Sequence, residues 1–270
     1  MRMRFGPPGF LLSAGLAVSC GLHAQQVAIA RAASPGLASA GLAGPGLATA
    51  GAGTAGLGAL AGARAGKLIV IGFMGGNVSA DNLLHREASV AQELQQLYPV
   101  GMRTAVFANH HGQDALRTVL EMLDANGDGR LSAAEKSAAR IVIYGHSWGA
   151  SETVTLARRL DELGIPVLLT IQVDSVEKSN EDDRSIPPNV REAVNFYQPH
   201  GLIHGRSLIA AMDPNRTTIL GNYESSYRQN PVSCAGYPWY ALAFMKRHIQ
   251  IENDPDVWSK IEALILAKIL

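Results

Sequence analysis

The sequence predicts an α/β fold, a mostly parallel sheet with helices on both faces. Two observations carry this. Continuous apolar runs such as Leu68-Ile69-Val70-Ile71 and Val167 to Val173 alternate along the chain with helical periodicities, as expected of strands buried on both faces. The motif Gly145-His146-Ser147-Trp148-Gly149 also stands where a strand-like run gives way to a helical one. That junction is characteristic of a parallel sheet with short connections.

The elements follow in order from Lys67. Leu68 to Ile71 ends in glycines and reads as a buried strand. Ala88 to Leu97 is helical and closed by Pro99, and Arg103 to Phe107 is a second strand. Leu116, Val119, Leu120 and Leu123 fall at i, i+3, i+4 and i+7, one apolar stripe on one helix. A short helix from Ala133 to Ala139 precedes the strand Ile141 to Tyr144, and a further helix runs from about Ala150 to Leu163. Strands follow at Val167–Val173, Ala193–Tyr197 and Thr217–Leu220. After the segment Trp239–Lys246 a polar loop is expected from His248, then a terminal helix.

The first 66 residues differ in kind. Met1-Arg2-Met3-Arg4 and the apolar stretch Phe10 to Val18 have the pattern of a signal peptide over residues 1–24, too short for a comfortable membrane span. Acylation of Cys20 and an uncleaved N-terminal anchor are the alternatives. Residues 25–66 are almost wholly small, Gly- and Pro-rich and free of acids and aromatics, a flexible linker. The expected location is therefore outside the cytoplasm, secreted or periplasmic. Of 23 basic residues four lie before residue 67, together with none of the 23 acids, so the domain at 67–270 is mildly acidic. That argues against a nucleic-acid partner. No further stretch has the length of a membrane span, and Cys234 has no partner once Cys20 leaves with the signal.

Gly-x-Ser-x-Gly needs its glycines because a sharp strand-to-helix turn brings backbones too close for side chains. Gly145 and Gly149 meet that need around Ser147. A serine hydroxyl is a poor nucleophile at neutral pH, so it requires a base, and the base requires an orienting acid. Of eight histidines, His200, His204 and His248 follow the serine. His248 is preferred because it precedes the terminal helix. For the acid, Asp174 ends the strongest strand after the serine, on the rim where the elbow opens. Asp182, Asp183 and Asp213 are rivals, the first two within a charged run read as solvated and the third beside Pro214 in a turn. An oxyanion would be held by the backbone N–H of Trp148 and by a donor from the loop Gly72 to Gly76. Phe73 is nominated there, with Met74 as the alternative.

These residues resemble the α/β-hydrolase superfamily, particularly its lipase- and esterase-like members. The likeness rests on Gly145 to Gly149, the glycine loop 72–76, Asp174 and His248, and spans roughly residues 67–270. It implies cleavage of a small-molecule or lipid ester by Ser147, His248 and Asp174. In most of the superfamily the acid follows a later strand than the one ending at Asp174. A thioesterase or amidase would use the same machinery.

A second signal lies at residues 124–135, Asp-Ala-Asn-Gly-Asp-Gly-Arg-Leu-Ser-Ala-Ala-Glu. It resembles an EF-hand loop, in which hard oxygen donors at fixed spacing surround Ca²⁺. Asp124, Asn126 and Asp128 take positions one, three and five, and Gly129 the turn at six. Arg130 offers its carbonyl at seven, Ser132 serves at nine and Glu135 at twelve. The chain holds no second such loop, so a stabilising clamp is expected rather than a sensor. A non-catalytic calcium-binding protein on the same scaffold is the competing reading.

Overall fold

The computed structural model describes residues 66–179 and 181–269. The expected signal segment, Cys20 and nearly all of the linker lie outside these residues. A single six-stranded sheet, ordered β2-β1-β3-β4-β6-β8, organises the rest. Its strands are β1 (Leu68–Met74), β2 (Met102–Ala108), β3 (Ile141–His146), β4 (Val167–Val173), β6 (Val190–Tyr197) and β8 (Thr218–Glu224). Every pairing in it is parallel. Two two-residue strands, β5 (Ser185–Ile186) and β7 (Ala210–Ala211), pair beside it. They are too short to leave a trace in the sequence pattern.

The helices are α1 (Arg86–Leu97), α2 (Gly112–Leu123), α3 (Ala133–Ser137), α4 (Trp148–Glu162), α5 (Trp239–Glu252) and α6 (Pro255–Leu266). Side chains alternate across each strand, so the sheet buries two separate cores. Ile69, Ile71, Phe73, Ile141 and Ile143 pack with Val119 and Leu123 of α2 and with Val154 and Leu160 of α4. Leu68, Val70, Val142 and Tyr144 face the other way, onto Val90 and Leu94 of α1 and Trp258, Ile261 and Ile265 of α6. The stripe expected on α2 is there, with Val119 and Leu123 buried and Leu116 and Leu120 packed at its edge. Among the described residues no helix is long and apolar enough to cross a membrane.

Two expectations change. The strand β1 runs through Met74, so Phe73 and Met74 belong to the sheet and not to the loop after it. The polar segment from His248 is helical as far as Glu252, after a kink at Met245. Its polar residues have tertiary partners in place of water. Gln250 donates to the Val232 carbonyl at 3.0 Å, and Ile249 and Ile251 are buried beside it.

Candidate active site

The carboxyl ends of β3 and β4 set the site. Ser147 follows β3 with φ 57° and ψ −124°, a left-handed backbone that costs a non-glycine residue about 1–3 kcal/mol. Neighbouring strands hold it there. The Ser147 N–H donates to the Val173 carbonyl at 2.9 Å, and the Val176 N–H donates to the Ser147 carbonyl at 3.2 Å. Both flanking glycines are sterically required. A Cβ on Gly145 would lie 2.5 Å from the Gly149 carbonyl carbon, and one on Gly149 would lie 2.2 Å from the Phe73 carbonyl oxygen. Gly149→Ala should therefore force the elbow away from β1. We expect a loss of about 1–3 kcal/mol from overpacking, read as a lower urea midpoint with unchanged slope.

Asp174 follows β4, also with positive φ (45°), and is fully buried. Its carboxylate is saturated. Oδ1 accepts from the backbone N–H of Gln198 at 3.1 Å and of Gly205 at 2.7 Å. Oδ2 accepts from Gln198 Nε2 at 2.9 Å and faces His248 Nδ1 at 2.7 Å. Gly205 can approach so closely only because it lacks a side chain: its Cβ would meet the Asp174 Cα at 2.4 Å. Gln198 and Gly205 have no motif to announce them, and sequence reasoning missed both.

His248 is buried on α5, and its ring lies against that of His146, centroids 4.4 Å apart. The base candidate is thus packed on the residue next to Ser147. Among the described residues the Ser147 hydroxyl itself makes no hydrogen bond to His248; the imidazole is held from the acid side. His200 is bound through its backbone to Gln198 Oε1 and His204 is exposed, so neither imidazole takes the place of His248 on Asp174. Among the rival acids, Asp183 is fully buried, not solvated: it accepts from Ser175 Oγ at 2.6 Å and pairs with Arg206. Asp182 caps the turn at Arg184 and Ser185, and Asp213 starts a turn at Asn215.

Trp148 is the first residue of α4, where an N–H has no helical acceptor behind it, and its side chain is 43 % exposed. Gly75, just past β1, lies against the nucleophile: its Cβ would meet Ser147 Cβ at 3.1 Å. Its N–H is already donated to Glu87 Oε1 at 3.1 Å. Trp239, Tyr240 and Phe244 are exposed, so they belong to no core.

Behind His146 lies a buried polar group that the sequence did not reveal. Glu87 is fully buried, and burial together with nearby Glu252 drives its carboxyl well above the usual carboxylate range. Burial, with a smaller contribution from His248, holds His146 down at about 4. Glu252 lies four residues after His248, one turn along the same face of α5. Reading that segment as helix would have placed the two together.

At the calcium-type loop, Asp124 caps the end of α2 and its carboxylate accepts from the N–H groups of Gly127, Asp128 and Gly129 at 2.8, 3.2 and 2.8 Å. Gly129 has φ 75°. Asn126 Oδ1 accepts from Asp128 N, and Asp128 Oδ1 from Arg130 N. Ser132 and Glu135 form a capping box at the start of α3, and Glu135 also accepts from Ala125 N at 2.9 Å. Those hydrogen bonds from Ser132 and Ala125 hold the Glu135 carboxyl below its ordinary range. A cavity of about 620 Å³ opens beside this loop, lined by α2, Arg130, Leu131 and Ile165, and includes no triad candidate.

No family model matches the chain, and no curated protein matches it. Among solved structures it is similar to a dienelactone hydrolase from Anabaena variabilis, 14% identical over 76% of this chain and 85% of that one, TM-score 0.38. An acetyl xylan esterase is 10% identical over 76% of this chain and 99% of its own, TM-score 0.36. A thioesterase of the prodiginine pathway in Streptomyces coelicolor is 9% identical over 76% and 91%, TM-score 0.36. The strand order and pairings of the chain itself define it as an α/β protein with a parallel central sheet covered by helices on both faces.

Proposed function

We propose that this chain is a serine hydrolase acting on acyl esters. The observation that carries the reading is the Asp174–His248 contact at 2.7 Å, made by a carboxylate whose other acceptor sites are filled, beside a strained Ser147. Asp174 fixes the imidazole with Nδ1 protonated, leaving Nε2 as the base. Nε2 takes the hydroxyl proton as Ser147 Oγ attacks the acyl carbon. The tetrahedral oxyanion is met by the Trp148 N–H; Phe73 is bound into the sheet between β2 and β3, which leaves Met74, at the end of β1, as the second donor. His248 then gives its proton to the departing alkoxide, and water releases the acyl group by the same route. Labelling of the folded protein by a fluorophosphonate probe tests this. Adduct formation at Ser147 that disappears in His248→Ala is expected; an unlabelled, folded wild type leaves only the non-catalytic reading.

We propose further that residues 124–135 hold Ca²⁺. The donor set fits: oxygens of Asp124, Asn126, Asp128, Ser132 and Glu135 with the Arg130 carbonyl, in a loop whose backbone already turns about Asp124. When bound, the ion would offset most of the charge of these three carboxylates and tie α2 to α3, which leads directly into β3. Glu135→Gln is expected to abolish any rise in Tm on adding millimolar calcium. An equal rise in wild type and variant sinks the clamp. Export directed by residues 1–24 is the matching proposal for location.

A further inference from the structure

We propose a second metal site, for a zinc-like divalent cation, formed by His85, Glu87 and Glu252 beneath the nucleophile elbow. One ligand atom each from His85, Glu87 and Glu252 lie within 4.8 Å of one another. His146 Nδ1 borders the set, 3.9 Å from Glu87 Oε1 and 3.7 Å from Glu252 Oε2. A tetrahedral ion with bonds of about 2.0–2.1 Å places neighbouring donors roughly 3.3 Å apart. Small side-chain shifts therefore bring His85, Glu87 and Glu252 onto one centre. His85 Nδ1 already contacts Glu252 Oε1 directly and lies 3.5 Å from the Tyr237 hydroxyl.

The independent sign is unsatisfied polarity. Glu87 is fully buried, yet among the described residues its Oε2 has no hydrogen-bond partner. Two carboxylates enclosed in a core are costly unless a proton or a cation compensates them. One divalent ion with one neutral imidazole makes the three-residue cluster electrically neutral. The donors choose the ion class. One imidazole and two carboxylates suit zinc, whereas calcium takes six to eight oxygens. His85, with its side chain 13 % exposed, is the member through which an ion would enter.

The location gives the site its purpose. His85 and Glu87 sit at the start of α1, His146 immediately precedes Ser147, and Glu252 shares α5 with His248. One ion would fasten the start of α1 to the helix carrying the base, two segments distant in the chain, beside His146 and the elbow.

The test uses the full chain, stripped with a chelator and carrying Glu135→Gln so that the calcium loop does not contribute. Titration with zinc alone should bind one ion per chain, and cobalt in its place should give the intense visible absorption of tetrahedral coordination. His85→Ala and Glu252→Gln should each weaken zinc at least tenfold. If Glu252→Gln fails to fold, His85→Ala, at the rim, still decides. Absence of a zinc equivalent, weak octahedral-type cobalt absorption, or equal affinity in His85→Ala overturns the site.

Discussion

Ser147→Ala is expected to lower kcat/KM for a short-chain ester by about 10⁴- to 10⁶-fold while leaving the fold intact. The side chain is nearly buried and its hydroxyl forms no hydrogen bond among the described residues, so removing one oxygen opens no unsatisfied partner. Alanine also lacks the branch that would worsen a left-handed backbone already imposed at φ 57°. Thermal stability should therefore change little as catalysis disappears. Substrate binding should persist, because the Trp148 N–H is a backbone group that the substitution does not touch. A variant that keeps more than a hundredth of the wild-type rate would remove Ser147 from the reaction and the hydrolase reading with it.

Asp174→Asn should cost about 10⁴-fold in kcat through the tautomer of a neighbouring ring. The two backbone N–H groups at Oδ1, from Gln198 and Gly205, cannot reverse their polarity. The amide oxygen of asparagine must therefore face them, and its NH₂ must face His248 and Gln198 Nε2. His248 then accepts at Nδ1 and carries its proton on Nε2, where it cannot take the serine proton. Gln198 Nε2, which donates to Asp174 Oδ2 at 2.9 Å in the wild type, would then face the new NH₂, so the Gln198 side chain has to turn its oxygen inward. Such rearrangement costs about 1–3 kcal/mol of stability. Asp174→Ala should be less stable than Asp174→Asn, since it leaves both backbone donors without an acceptor. Comparable kcat in wild type and Asp174→Asn would show that another group orients the base.

Much of the sheet was legible because its signals are local. β4 was delimited to the residue, and the α2 stripe follows from spacing alone. The elbow was legible for the same reason: two glycines and a serine at fixed separation encode a clash that any such turn would suffer. The end of α5 was misread because its polar residues look solvated in sequence. Their partners, Val232, His85 and Asp174, lie far away along the chain. Asp183 was misread in the same way, as a charged surface residue when Arg206 and Ser175 enclose it.

The sequence by itself determined the alternation of elements, the strained turn at Ser147 and the oxygen-rich loop at 124–135, since each depends on residues a few positions apart. Only the tertiary structure decided that His248, and not His200 or His204, meets Asp174. It alone disclosed Gln198 and Gly205 as the donors that fix that acid, and Glu87 with Glu252 beneath the elbow. These are contacts between segments that parallel strands and packed helices bring together, and no local pattern of residue types encodes where such segments will meet.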